Sequence, residues 1–158
     1  MLPEKRISAL LRKKNKTVAL AESCSGGLLS HRITNIPGSS EYFIGSVVAY
    51  SNKAKVNLLK ITPKLIAQHG AVSNQIAKQM AKGVRRLFQT DFGVSITGIA
   101  GPGGGTKTKP VGLTYIAVNS RAKTICVKSI FKGTRLSIKS QAASKALELL
   151  LRHCGQKT

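Results

Sequence analysis

An α/β fold, a three-layer α/β/α sandwich with a mixed central sheet, is predicted from three features of this 158-residue chain. Segments rich in β-branched and aromatic residues alternate with segments whose apolar residues recur at helical spacing. Two strand-like segments, VGLTYIAVNS and KTICVKSIF, are separated only by a short polar turn around Arg121 and Ala122, which predicts a hairpin and so a sheet that is not wholly parallel. Apolar residues make up 42% of the chain, enough for one core, and no repeat or linker interrupts the order. Residues 1–158 are therefore expected to form one domain.

The elements follow in order. Pro3 suits a first helical turn, and Ile7, Leu10 and Leu11 continue at helix spacing. TVALAES is apolar throughout, like a buried strand, and breaks at CSGG before Leu28, Leu29 and Ile33 resume a helical stripe. Pro37 and Gly38 end that helix. YFIGSVVAYS has strand composition, and a short helix carrying Lys53, Lys55, Leu58 and Leu59 follows it. Thr62 and Pro63 are an N-cap and first-position pair. Ser73 caps a longer helix with Ile76, Met80, Val84, Leu87 and Phe88 on its apolar face. FGVSITGIAGPGGG is a strand running into a glycine-rich loop, and the hairpin comes next. Thr134 opens a last helix with Leu136, Ala143, Leu147 and Leu150 on one side.

Charge is the anomaly of the composition. Twenty-six Lys and Arg face five acids, for a formal net charge of +21. Such a field favours anionic ligands, whether nucleic acid, acidic lipid or a phosphorylated metabolite, although basic residues spread along the whole chain also fit a general surface bias. No stretch approaches the roughly 20 continuous apolar residues of a membrane span. The first residues mix charge into their apolar positions and lack a cleavage site, so cytoplasmic location is expected. Cys24, Cys126 and Cys154 form no CxxC pair, and His31, His69 and His153 are equally dispersed; neither disulfides nor a metal site is indicated.

Three segments hold more Gly, Ser and Lys than a core needs: residues 21–27, 47–55 and 97–112. The third fails both common nucleotide patterns. Thr106, not Gly, precedes Lys107, and Thr108 breaks the dinucleotide spacing begun by Gly103 and Gly105. What remains is either a long connection or a loop whose amides and lysines suit an anion. In the first segment, Ser23 and Ser25 stand at a strand-to-helix turn, where helix-start amides can stabilise an oxyanion and Gly26 and Gly27 let a ligand approach. Either serine could instead be an N-cap, the commoner role of Ser in such a place. A serine nucleophile needs a base, and no His lies in these segments; a lysine can serve if burial lowers its pKa. Lys55 follows Tyr50 across a strand end and the first turn of a helix, so both can face one cleft, or be an ordinary helix lysine and a strand aromatic.

Taken together, AESCSGG, IPGSSEYFIG, VVAYSNKAK, HGAVS, TGIAGPGGGTKTKPVG and GTR resemble the CinA C-terminal domain family over residues 17–153. Its best-characterised members are nicotinamide-nucleotide amidohydrolases. The resemblance, in a stand-alone form without the further N-terminal domain of longer relatives, implies Ser23 as nucleophile, Lys55 as base and Tyr50 assisting. It implies nicotinamide mononucleotide as substrate, nicotinic acid mononucleotide and ammonia as products, and neither metal nor organic cofactor. Ser25, where the family usually has Thr, Gly26, Gly27, Ser40 and Gly101 are then substrate-side candidates, with Lys107, Lys109 and Arg135 for its phosphate. Glu22 either holds the Ser23 turn or pairs with Lys55, and at least a homodimer is implied. Two other classes stand beside the enzyme: a basic domain holding nucleic acid or another polyanion, and a structural or regulatory partner. Against nucleic acid, aromatics are only 4% of residues and no DNA-binding motif appears.

Overall fold

The computed structural model describes residues 1–155; the last three positions of the expected domain lie outside them. Its elements are α1 (Pro3–Lys14), β1 (Val18–Glu22), α2 (Leu28–Thr34), a 3-10 turn (Ser39–Glu41), β2 (Phe43–Val48), α3 (Asn52–Leu59), α4 (Pro63–His69), α5 (Asn74–Phe88), β3 (Phe92–Gly98), β4 (Leu113–Asn119), β5 (Thr124–Ile130) and α6 (Arg135–Gly155). The caps follow local chemistry. Ser51, Thr62 and Ser73 each accept a backbone N–H from the residue three positions on, opening α3, α4 and α5.

The five strands lie in the order β2-β1-β3-β4-β5. β1 pairs with β2 and β3 in parallel, whereas β4 is antiparallel to both β3 and β5, so the sheet is mixed as expected. β1 is buried along its whole length. Its alternation sorts the two cores: Val18 and Leu20 pack with α1, α2 and α6, whereas Ala19 and Ala21 face Leu59, Ile66, Ile76, Met80 and Val84 of the opposite layer. Small residues bring α5 close to the sheet. A Cβ on Gly93 would lie 2.0 Å from the Ala81 carbonyl, and Ser95 Oγ donates to the Ala77 carbonyl at 2.6 Å.

Two expected core positions are not in the core. Leu136 is 75% exposed because it precedes Ile138, the true start of the buried face of α6, by two residues, which is about 200° around a helix. The α5 stripe Ile76–Met80–Val84 continues at Phe88, which packs on Gly45, and this leaves Leu87 half exposed on the flank. No helix among the described residues is long and apolar enough to cross a membrane.

Because β1, β2 and β3 are parallel, their carboxyl ends share one edge of the sheet. The chain leaves β1 towards α2 on one face and leaves β2 towards α3 on the other. That divergence is a topological switch point, the usual place for a ligand in α/β sheets.

Candidate active site

Ser23 immediately follows β1, and its amide donates to the Ile96 carbonyl of β3, so the sheet itself anchors it. Neither Ser23 nor Ser25 caps α2. The carboxylate of Glu22, fully buried, takes that place: Oε2 accepts from the amides of Gly27 and Leu29 at 3.1 Å each, and Oε1 from the amide and hydroxyl of Ser30 at 2.8 and 2.6 Å. An anion at a helix start is favoured by the orphan amides and the dipole. Glu22 thus holds the Ser23 turn and makes no contact with Lys55. The turn needs left-handed backbone at Gly26 (φ +59°) and Gly27 (φ +95°), which explains the glycine pair. Since Glu22 occupies the first amides of α2, the amides left for an oxyanion are those of Cys24 and Ser25, which among the described residues donate to no carbonyl or side-chain oxygen. Ser25 is fully buried with its hydroxyl unpartnered.

Lys55 comes from the first turns of α3 and is 1% exposed. Its Nζ lies 3.2 Å from Ser23 Oγ, 2.9 Å from the Ala49 carbonyl and 3.2 Å from the Tyr50 carbonyl. Burial lowers its pKa below the ordinary lysine value. Carbonyls can only accept, so Ala49 and Tyr50 take two N–H bonds from Nζ, and its third position faces Ser23 Oγ, as a donor when the amine is charged and as a lone-pair acceptor when it is neutral. Cys24, between the two serines, is excluded as a thiolate: burial first, then the Glu22 charge, push its pKa to about 11.

Tyr50 is partly as expected. Its backbone carbonyl holds Lys55, but its side chain is 60% exposed, and its hydroxyl accepts from Arg135 Nη2 at 3.1 Å and touches neither Ser23 nor Lys55. Arg135, at the start of α6, also donates to the Gly101 carbonyl at 2.6 Å. Tyr50, Gly101 and Arg135 therefore form one linked rim, and the Arg135 charge reaches Cys24. Lys139, one helical turn after Arg135, was not foreseen. Its Nζ lies 3.6 Å from where a Gly26 Cβ would stand, and its i, i+4 spacing from Arg135 was the available signal.

The remaining candidates separate. Lys109 Nζ is committed to the His69 carbonyl at 2.7 Å, and Lys107 is exposed on the loop. Ser40 is not beside Ser23. It precedes β2, whose start pairs with the start of β1 at Val18, so it lies beyond the opposite end of the strands, about 15 Å of β1 away. The parallel register imposes that separation. Two surface hollows, one between α1 and α6 and one around Phe92 and His153, also lie away from Ser23 and Lys55. No cluster of three metal-ligating side chains occurs among the described residues.

The sequence profile of the CinA C-terminal domain family matches residues 3–154. A relative from Moorella thermoacetica, named for competence-damage induction, is 52% identical over 144 residues, covering 91% of this chain and 35% of that protein. A CinA-like protein of Endomicrobium trichonymphae is 50% identical over 143 residues, covering 90% of this chain and 33% of its own length. This chain spans about a third of the length of these curated relatives. Among solved structures, the competence/damage inducible protein CihA from Agrobacterium tumefaciens superposes with a TM-score of 0.94 at 36% identity, covering 98% of this chain and 94% of that one.

Proposed function

Because the chain belongs to the CinA C-terminal domain family, we propose that it is a serine amidohydrolase that deamidates nicotinamide mononucleotide. The observation that carries this reading is the buried Lys55 amine, tethered by two carbonyls and 3.2 Å from the Ser23 hydroxyl. Lys55 takes the Ser23 proton as Oγ bonds to the carboxamide carbon. The amides of Cys24 and Ser25 receive the developing oxyanion. The C–N bond then breaks, and the departing nitrogen takes the proton back from Lys55 and leaves as ammonia. Water, deprotonated by the same amine, splits the acyl-enzyme and yields nicotinic acid mononucleotide. Arg135, whose charge reaches Cys24, and Lys139, beside Gly26, suit the phosphate, with Tyr50 orienting Arg135. Lys107 and Lys109, on the glycine-rich loop, serve that phosphate less directly.

Ammonia release from nicotinamide mononucleotide by the purified chain is the direct measurement. Ser23→Ala is expected to lower kcat by about three orders of magnitude or more, with the fold unchanged in circular dichroism. No release from wild type, or undiminished release from Ser23→Ala, sinks this reading. The net charge of +21 favours a second one, a basic domain holding nucleic acid or another polyanion. Binding to a DNA duplex whose affinity falls steeply with salt supports it, and no binding at low salt ends it.

A further inference from the structure

The end of the sheet opposite Ser23 carries a hollow of about 590 Å³ that the hydrolysis does not use. Its walls come from the end of α1, the start of β3, the β4–β5 turn and the last turn of α6. Four cations, Lys14, Lys16, Arg121 and Lys123, line it against a single carboxylate, Asp91. That carboxylate is already committed: Oδ1 accepts from Lys16 Nζ at 2.8 Å, and Oδ2 from the amide and hydroxyl of Thr17 at 3.0 and 3.1 Å. Lys14 Nζ donates to the Cys154 carbonyl and so covers the negative end of α6. Arg121 and Lys123, exposed on the turn, bring two further charges, and among the described residues the lining holds no second carboxylate.

The inner wall is of another kind. Phe92 and His153, the latter only 6% exposed, stand edge to face with ring centroids 5.9 Å apart. His153 Nε2 lies 3.1 Å from Ser120 Oγ, and its Nδ1 is buried without a partner among the described residues. Buried polar atoms in folded proteins are almost always paired, so this ring nitrogen stands out.

We propose that this hollow is a second ligand site, apart from Ser23 and Lys55, and that it takes a small phosphate monoester carrying a ring. The Arg121 guanidinium offers paired N–H donors to a phosphate, with the Lys123 ammonium beside it on the turn. A hollow of this volume suits a molecule of nucleotide size rather than an inorganic anion, and Phe92 and Ala122 give its ring apolar surface. Burial, and then the Lys123 charge, lower the His153 pKa. A phosphate beside Lys123 offsets the second cause, so binding draws a proton to the ring. Lys14, Lys16 and Arg121 oppose that proton and Asp91 favours it, while the Cys154 thiol, pushed up to about 12 by burial, adds no charge.

Amide NMR spectra of the full chain, titrated with adenosine 5′-monophosphate, locate binding without any turnover. Shifts are expected at Phe92, Arg121, Lys123, His153 and Cys154, and they should persist at about 0.15 M salt. Arg121→Glu and Lys123→Glu should each weaken binding about tenfold. Lys64→Glu on α4, with the charge change of Lys123→Glu, and Arg135→Ala at the Ser23 end should leave it within about twofold. Calorimetry in two buffers of different ionisation enthalpy should show more proton uptake by wild type than by His153→Gln. Shifts confined to residues 23–27 and 135–139, or scattered over surface lysines and lost at that salt, overturn the proposal. So does equal weakening by Lys64→Glu, equal proton uptake by His153→Gln, or inorganic phosphate binding as tightly as the ester. Ammonia release bears on none of these outcomes, so this site and the hydrolytic reading stand or fall separately.

Discussion

Lys55 is held by three contacts and almost no solvent, and the sign of its pKa shift makes two measurements informative. As a base it must be neutral, so kcat/KM should climb with pH along a limb centred below the ordinary lysine value of about 10.4. Lys55→Arg should lose that limb with the activity, because a guanidinium stays protonated. Stability follows the same titration. The folded-state pKa is lowered, so between it and the unfolded value the unfolded chain binds more protons, and stability rises with pH. Melting curves of wild type and Lys55→Met, compared from neutral pH upward, should therefore diverge in favour of wild type. A difference that stays flat would show that the amine is not held neutral by burial. Lysine as a residue type in the second segment was legible, but its burial was not, since many lysines of this chain look alike in sequence.

The β1–α2 connection shows how one element boundary prepares chemistry. Glu22 closes β1 and reaches over the turn to the first amides of α2, so strand end, the Ser23 turn and helix start are fastened by one carboxylate. Glu22→Gln replaces an acceptor oxygen by an NH2 facing those donors. With charged hydrogen bonds worth about 1.5–3 kcal/mol each, the loss should be about 3 kcal/mol, read as a lower urea midpoint at unchanged slope. Unchanged stability would mean that the turn is set by the glycines alone. The sequence left Ser23 and Ser25 as rival caps; the carboxylate one position earlier takes that role from both. Local capping rules look at the residue before a helix, and an acceptor six residues back escapes them.

A net charge of +21 on a 158-residue chain makes self-repulsion a property of the whole molecule. Only a few ion pairs offset it among the described residues, such as Arg32–Glu4 and Lys16–Asp91. The melting temperature should therefore rise with added salt, from about 0.02 M to 0.5 M, as the Debye length contracts from tens of ångströms to a few. A falling temperature would place the ion pairs above the repulsion. The same field favours anions, and Arg135 beside Gly101 and Lys139 beside Gly26 carry part of it.

Periodicity and punctuation alone determined the alternation of strands and helices, the hairpin, and the caps at Thr62 and Ser73, because these depend on neighbours along the chain. Leu87 and Leu136 escaped that reading, since which flank of a helix meets the sheet depends on how the helix is laid down. Ser23 and Lys55, 32 positions apart, meet in a hydrogen bond only because parallel register puts the ends of β1 and β2 side by side. The same register carries Ser40 to the far end of those strands. Linear spacing contains neither fact, because strand order and direction belong to the packed sheet.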